Sequence, residues 1–237
     1  MPNFALVTEG LTDQIIIENI IFGFFDDPDI SVNPLQPLRD ETDRSRTISP
    51  GNWHQVLEYC ASGRFRGAFQ FNDYVIVQID TDVAVDYNVS DRDEEGNEFS
   101  VEEMIARVRA VLIARIGQEF YDKYASRILF AISVQSIECW LLPLLFSDKK
   151  KQSKTINCLG TLNQELTRKK SFSIDPNNKK PEYYEAISVE YTKHRKLMAL
   201  YNSNPSLEAF VHDLEKTVVV PNADDSSDSL PAPQVPR

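Results

Sequence analysis

The sequence predicts an α/β protein built on a mostly parallel sheet with helices on both faces, followed by a basic helical extension. Three observations lead there. Short apolar runs recur at residues 4–8 (FALVT), 74–79 (YVIVQI) and 128–134 (ILFAISV). Runs that are apolar at nearly every position fit strands covered on both faces, as in parallel sheets. Helical periodicity fills the stretches between them, and strand–helix alternation implies a doubly wound sheet. After Leu145 the strand signal stops and only helical patterns continue.

Taken in order, the first run ends in Glu9-Gly10. Thr12 then suits the start of a helix on which Ile15, Ile16, Ile20, Phe24 and Phe25 recur at helical spacing. Residues 32–38 read as a weak edge strand because Pro34 and Pro37 interrupt them. Residues 52–60 look helical. The run at 74–79 is the strongest strand. Ser100 opens a long helix to about Lys123, with Val101, Ile105, Val108, Leu112, Ile116 and Phe120 on one stripe and Glu102 and Glu103 at its positive end. A helix is expected from about Ser136, directly after the last strand. Helical patterns follow at 156–170, 182–202 and 205–217. Beyond Val220 the chain is rich in Pro, Ser and Asp, and disorder is expected. The expected organisation is a catalytic domain over 1–148, a basic helical extension over 149–219 and a tail over 220–237.

Composition narrows the setting. The three cysteines, Cys60, Cys139 and Cys158, show no CxxC spacing. That argues for a reducing compartment and against a disulfide framework or a zinc site. The longest apolar stretches, such as residues 141–146, are too short to span a bilayer. With no charged leader before Phe4, the expectation is a cytoplasmic protein with no membrane partner. The net charge of −11 looks wrong for a nucleic-acid binder, but it is uneven. Residues 149–200 hold twelve Lys or Arg against five Asp or Glu, a local balance of +7 that leaves −18 for the rest. An acidic part joined to a basic part fits metal binding beside phosphate binding. Lys149, Lys150, Lys151 and Lys154 are the candidate nucleic-acid contacts; the plainer reading is that such runs solvate loops.

Acidic residues stand where strands end. Glu9 follows the first run, Asp80 and Asp82 follow the run at 74–79, and Glu138 lies just past the last. In an open parallel sheet, ligands bind outside the carboxyl ends of the strands, so these groups can converge in one crevice. Side chains two apart on an extended chain share a face, which lets Asp80 and Asp82 address one cation. Mg²⁺ favours a few carboxylates, waters and substrate phosphate oxygens. Two such ions roughly 3.5–4 Å apart can hold both oxygens of an in-line phosphoryl displacement.

The stretch FALVTEGLTDQIIIENII resembles the first motif of Toprim domains, a strand ending in Glu-Gly before a helix, and VIVQIDTDV resembles that family's Asp-x-Asp strand. ISVQSIECWLL is similar to the strand-then-glutamate element of standalone Toprim-like proteins and of OLD-type nucleases, the overcoming-lysogenization-defect class. The similarity spans about residues 3–145, and residues 184–214 share the tone of the C-terminal part of the standalone proteins without a strict motif. It implies a Toprim-like fold and a Mg²⁺- or Mn²⁺-dependent nuclease acting on DNA or RNA, with phage defence among the family's roles. Carried over residue by residue, it makes Glu9 the acid/base or metal-linked glutamate. Asp80 and Asp82 become metal ligands, Asp13 a second acid after Glu-Gly, and Glu138 a later acidic ligand. OLD-type enzymes place a late lysine near the developing phosphoryl charge, and Lys193, within the basic group 193–196, is the candidate; a solvated helix face is the plainer reading. The chain departs from the family in lacking a GxxxxGK[ST] run and the large domains that surround Toprim in topoisomerases and primases. Since OLD-type nucleases usually carry an ATPase domain, the resemblance points to a separate ATPase protein partner.

Two other readings stay open at this point. IVQIDTDVA also resembles the haloacid-dehalogenase phosphatase motif, with Asp80 as nucleophile and Asp82 as general acid. A non-catalytic, partner-binding crevice is the other. Asp86, past the Asp-x-Asp pair, is a further candidate for the acidic site. Trp53 and Trp140 read as packing residues, and Tyr183 and Tyr184 beside Lys179 and Lys180 as weak candidates for base stacking.

Overall fold

In the computed structural model, which describes residues 1–39, 52–170 and 172–217, the chain is an α/β protein with a four-stranded sheet. The strands are β1 (Phe4–Val7), β2 (Val32–Gln36), β3 (Tyr74–Asp80) and β4 (Ile128–Ser133), in the order β2-β1-β3-β4. All three pairings are parallel; Val7 lies opposite Val77, and Asp80 opposite Ser133. From β1 the chain crosses outward to β2, then back past β1 to β3. The strand order therefore reverses between β1 and β3, and such a switch point leaves a crevice at the strand ends.

Alternation along the strands separates two apolar cores. Ala5, Val7, Val75, Val77, Ile79, Phe130 and Ile132 join one core with α2 (Trp53–Ala61), α3 (Gly63–Ala68), α4 (Val101–Ile116) and α5 (Gln118–Tyr124). Phe4, Leu6, Ile76, Leu129 and Ala131 join the other with α1 (Leu11–Phe25). That second core also takes in the late helices α8 (Cys158–Lys170), α9 (Pro181–Ser188), α10 (His194–Leu200) and α11 (Pro205–Thr217). The basic half of the chain thus helps to cover one face of the sheet: Tyr184, Tyr191, Leu197 and Phe210 are all buried there. Close approach fixes the seam, because a Cβ on Gly23 of α1 would overlap the Tyr191 carbonyl.

Local detail departs from the sequence reading in several places. Helix α1 starts at Leu11 with Gly10 as its N-cap, and Thr12 lies inside it. Ser100 does cap α4, in a reciprocal pair with Glu103, but Gly117 at φ 93° breaks the expected long helix and α5 resumes after it. The segment after β4 is a 3₁₀ turn, Ile137–Leu141, leading into the short α6 (Leu142–Leu145) and then α7 (Lys149–Gln152). The 182–202 pattern is split by a 3₁₀ turn at Val189–Thr192 into α9 and α10. Trp140 is fully buried and donates its indole N–H to Ser206 Oγ at 2.8 Å.

The cysteine reading needs correction. Cys139 and Cys158 are paired as a disulfide, their Cα atoms 5.0 Å apart, while Cys60 is buried and free. Separation in sequence hid the pair: the turn after β4 and the first turn of α8 pack against each other only in the fold. Among the described residues no helix is long and apolar enough to cross a membrane. The tail expected to be disordered lies outside the described residues.

Candidate active site

A cavity of about 420 Å³ opens at the carboxyl ends of the strands, at the β1/β3 switch point. Glu9, Asp13, Asp80, Asp82 and Glu138 all line it, and Asp86 joins them. These acids come from separate places in the chain, and the topology gathers them. Glu9 follows β1, Asp13 sits in the first turn of α1, Asp80 ends β3, Asp82 and Asp86 lie in the turns beyond it, and Glu138 is in the 3₁₀ turn after β4.

Three hydrogen bonds close a ring between the two switch-point strands. Glu9 N–H donates to Gln78 Oε1 at 3.1 Å, Gln78 Nε2 donates to Asp80 Oδ1 at 2.9 Å, and Asp80 N–H donates to Glu9 Oε1 at 2.7 Å. Gln78 is fully buried, so its amide is held in one orientation by both partners. Tyr87 O–H donates to the Asp80 carbonyl at 2.8 Å. Asp82 has left the strand, since β3 ends at Asp80. Its N–H and that of Thr81 donate to the Gln135 carbonyl at 2.9 and 3.0 Å, which turns the chain and keeps Asp82 at the cavity mouth.

Electrostatics divide the acids into two groups. Burial, with repulsion from Asp13 next, pushes Glu9 up to about 8. Burial also raises Asp13 to about 7, with Glu138 and Asp82 adding repulsion and Lys179 opposing it. Asp80 is driven well above the carboxylate range by burial and then by Glu9 and Asp13. Asp82, at the mouth, is raised by partial desolvation. Glu138 goes the other way: its burial is outweighed by the Lys179 ammonium at 2.7 Å and the Tyr184 hydroxyl at 2.6 Å, and it stays ionised. Burial works against the charge on Lys179, yet Glu138 and Asp80 hold it above the usual amine range.

Lys179 is the residue that sequence reasoning missed in this role. It reaches the cavity from a turn, Asp175–Asn178, that is tied to α8 by Asn163, whose side chain donates to the Ile174 carbonyl at 2.8 Å and accepts from Ile174 N–H at 2.7 Å. Lys193 is elsewhere. Its ammonium pairs with Glu190 at 2.6 Å and it does not line the cavity. The neighbouring His194 Nδ1 sits 2.8 Å from the Gly23 carbonyl, ten residues beyond Asp13 on α1 and so about 15 Å along that helix. The structure therefore does not bring Lys193 to the cavity; the lysine that lines it is Lys179. Tyr184 is corrected too: it is fully buried with its hydroxyl on Glu138, so no base can stack on it. Lys149, Lys150 and Lys151 are exposed on α7, and Lys154 donates to Thr161 Oγ1 at 2.6 Å; none of the four lines the cavity. Trp53, expected only to pack, is half-buried against Tyr87 and forms part of the cavity wall.

The donor set suits a hard divalent cation. Carboxylate oxygens dominate it, and several of the acids hold protons against which a cation would compete. Among the described residues no three His, Cys, Asp or Glu side chains converge closely enough to form a ready-made metal cluster. Mg²⁺ tolerates such spacing because it keeps several of its waters and takes only one or two direct carboxylates. Comparison with known proteins returned no matching family model, no matching curated protein and no matching solved structure.

Proposed function

We propose that this chain is a Mg²⁺- or Mn²⁺-dependent nuclease of Toprim type that hydrolyses phosphodiester bonds in nucleic acid. The observation that carries the reading is the meeting of Glu9, Asp13, Asp80, Asp82 and Glu138 with one half-buried lysine in a single cavity at the sheet's switch point. Asp80 and Asp82 would hold the cation, with Glu9, Asp13 and Glu138 around it. When bound, the ion would supply charge stabilisation at the phosphoryl oxygens. Glu9, whose carboxyl burial and the neighbouring Asp13 bias toward holding a proton, is the general acid–base group of this reading. Lys179 sets a fixed positive charge against the negative charge that develops on the phosphoryl oxygens. Gln78 keeps Asp80 and the Glu9 backbone in register with each other.

The haloacid-dehalogenase alternative fits less well. In that family the motif ordinarily lies on the first strand of its domain, whereas here Asp80 ends β3. The test is direct. Purified protein with Mg²⁺ or Mn²⁺ should cut a polynucleotide, and Glu9→Gln should abolish cutting with the fold retained. Turnover of a small phosphate ester that depends on Asp80 but not on Glu9 would instead establish the phosphatase. A separate ATPase partner and a role in phage defence extend the same reading by family resemblance; co-purification with an ATPase is the check on the first.

A further inference from the structure

We propose that the cavity accepts one unpaired nucleotide, its base laid on Trp53, so that the substrate class is single-stranded nucleic acid or a loop rather than continuous duplex. The inference rests on the nuclease reading for its chemistry and on separate features for its selectivity.

The first feature is depth. Asp13, Asp80 and Glu138 are 6%, 8% and 1% exposed, so a phosphate must enter the cavity to meet them. Phosphates of a duplex lie along a stiff, paired stack, and enzymes with recessed centres act on single strands or pull a nucleotide out of the stack. A volume of about 420 Å³ lies in the range of small-molecule sites and has no room for paired neighbours.

The second feature is charge. Among the described lining residues, six are carboxylic acids and one, Lys179, is a cation already paired with Glu138. Duplex-binding surfaces neutralise many phosphates in a row with Lys and Arg. The described walls supply no such track. One phosphate accompanied by a divalent cation is the most that the lining neutralises.

The third feature is the wall itself. Trp53 offers an aromatic surface within reach of the carboxylates, with the Asn52 and Asn177 amides also lining the cavity. Bases of any identity stack on an indole, while amides can read a base edge that pairing would otherwise occupy. Packing against Tyr87, whose hydroxyl holds the Asp80 carbonyl, ties the stacking surface to the reacting end of β3.

The fold supplies a readout independent of turnover. The chain has two tryptophans, and Trp140 is fully buried, so quenching of intrinsic fluorescence by an added oligonucleotide reports Trp53. The probes are one oligonucleotide as a single strand, the same sequence as a blunt duplex, and a hairpin with an unpaired loop. Ca²⁺ is present for binding and Mg²⁺ for cleavage. Single strand and loop should quench and be cut, and the duplex should be cut at least about tenfold more slowly. Trp53→Phe should remove the quenching, and Trp53→Ala should lower kcat/KM on single strands by about ten- to hundred-fold, the effect of removing one base–aromatic stack. Trp53→Tyr should restore most of that activity, and melting curves confirm that each variant folds. Equal quenching and cutting of duplex and single strand would overturn the proposal while leaving the nuclease reading intact. So would an unchanged kcat/KM in a folded Trp53→Ala protein. Single-strand quenching without cleavage of any probe would support the binding site and overturn the nuclease reading instead.

Discussion

Magnesium should raise the melting temperature of this protein by an amount that grows with pH. Glu9 and Asp13 keep their protons up to about pH 8 and about pH 7 in the folded chain, against usual values of 4.5 and 3.8. A carboxyl whose folded value lies above its unfolded value costs stability as pH rises through the interval between them. There the native state holds a proton that the unfolded chain has released, and stability falls by about 1.4 kcal/mol per pH unit for each such group. For Glu9 the interval from 4.5 to about 8 sets a ceiling of about 5 kcal/mol. The Asp13 contribution overlaps with it, because the two acids repel each other and that repulsion counts once. A cation needs its ligands ionised, so its binding releases the protons. Below about pH 7 the apparent affinity then rises roughly tenfold per pH unit for each proton released, a linkage of about 1.4 kcal/mol. In a chain of 237 residues that corresponds to about 3–6 °C of additional stabilisation per pH unit. Thermal melts with and without MgCl₂, stepped from about pH 5 to about pH 8, measure it, with Asp80→Asn/Asp82→Asn as the control. A magnesium shift of the same size at both ends of that range would refute the reasoning, as would an undiminished shift in the double variant.

Other perturbations separate the roles of individual residues. Lys179→Met should lower kcat on a polynucleotide by about 10²–10³, whereas Lys193→Ala should cut normally; steady-state rates of the two variants decide between the lysines. Gln78→Met should keep the fold but loosen Asp80 and Glu9 together, so its pH–rate profile should move and flatten; a profile superimposable on the wild type would deny the amide its positioning role. Replacing Lys149, Lys150 and Lys151 with Gln should flatten the dependence of log K on log salt for a single-stranded oligonucleotide by about 0.7 for each phosphate that the lysines had neutralised. An unchanged slope in a filter-binding titration would make α7 only a solvated surface. In metal-free buffer at about pH 8, Asp80→Asn should melt slightly higher than wild type, because it removes a buried acid that its neighbours repel.

The four strands were legible because three of them are buried on both faces and announce it in uninterrupted apolar runs. β2 was legible only as an edge, since Pro34 within it and Pro37 just after it argue against a central place. Helix starts followed the physics where the N-cap residue's own side chain does the capping, as at Ser100, and missed where the N-cap residue has no side chain, as at Gly10. Gly117 broke a helix whose apolar stripe runs on through Phe120; the stripe survives because α5 keeps Phe120 against Phe65 and Phe69. The Cys139–Cys158 pair had no sequence signal, because nothing local brings residues nineteen apart together.

The acids of the site were readable because chain topology alone brings strand ends together, whatever the loops do. The cation was not, and the difference is physical. Lys193 drew attention as part of a dense basic run, but dense like charges repel and therefore sit where water screens them; its partner is another surface residue, Glu190. Lys179 sits beside only one other basic residue, and its side chain is 30% exposed. Burying an ammonium is costly unless acids surround it, and here Glu138, Asp80 and Asp13 do. The one sequence-level cue would have been its turn. Asp175, Pro176, Asn177 and Asn178 form a turn next to Ile174, which Asn163 ties to α8, and a lysine carried on such a turn can be held over a neighbouring crevice. An isolated lysine after such a turn is thus a better candidate for an acidic active site than a lysine within a basic run. Exchanging the charges tests it within this chain: Lys179→Glu should unfold or strongly destabilise the protein by adding one more acid to a cavity already lined with them, while Lys193→Glu should change its stability by less than about 1 kcal/mol.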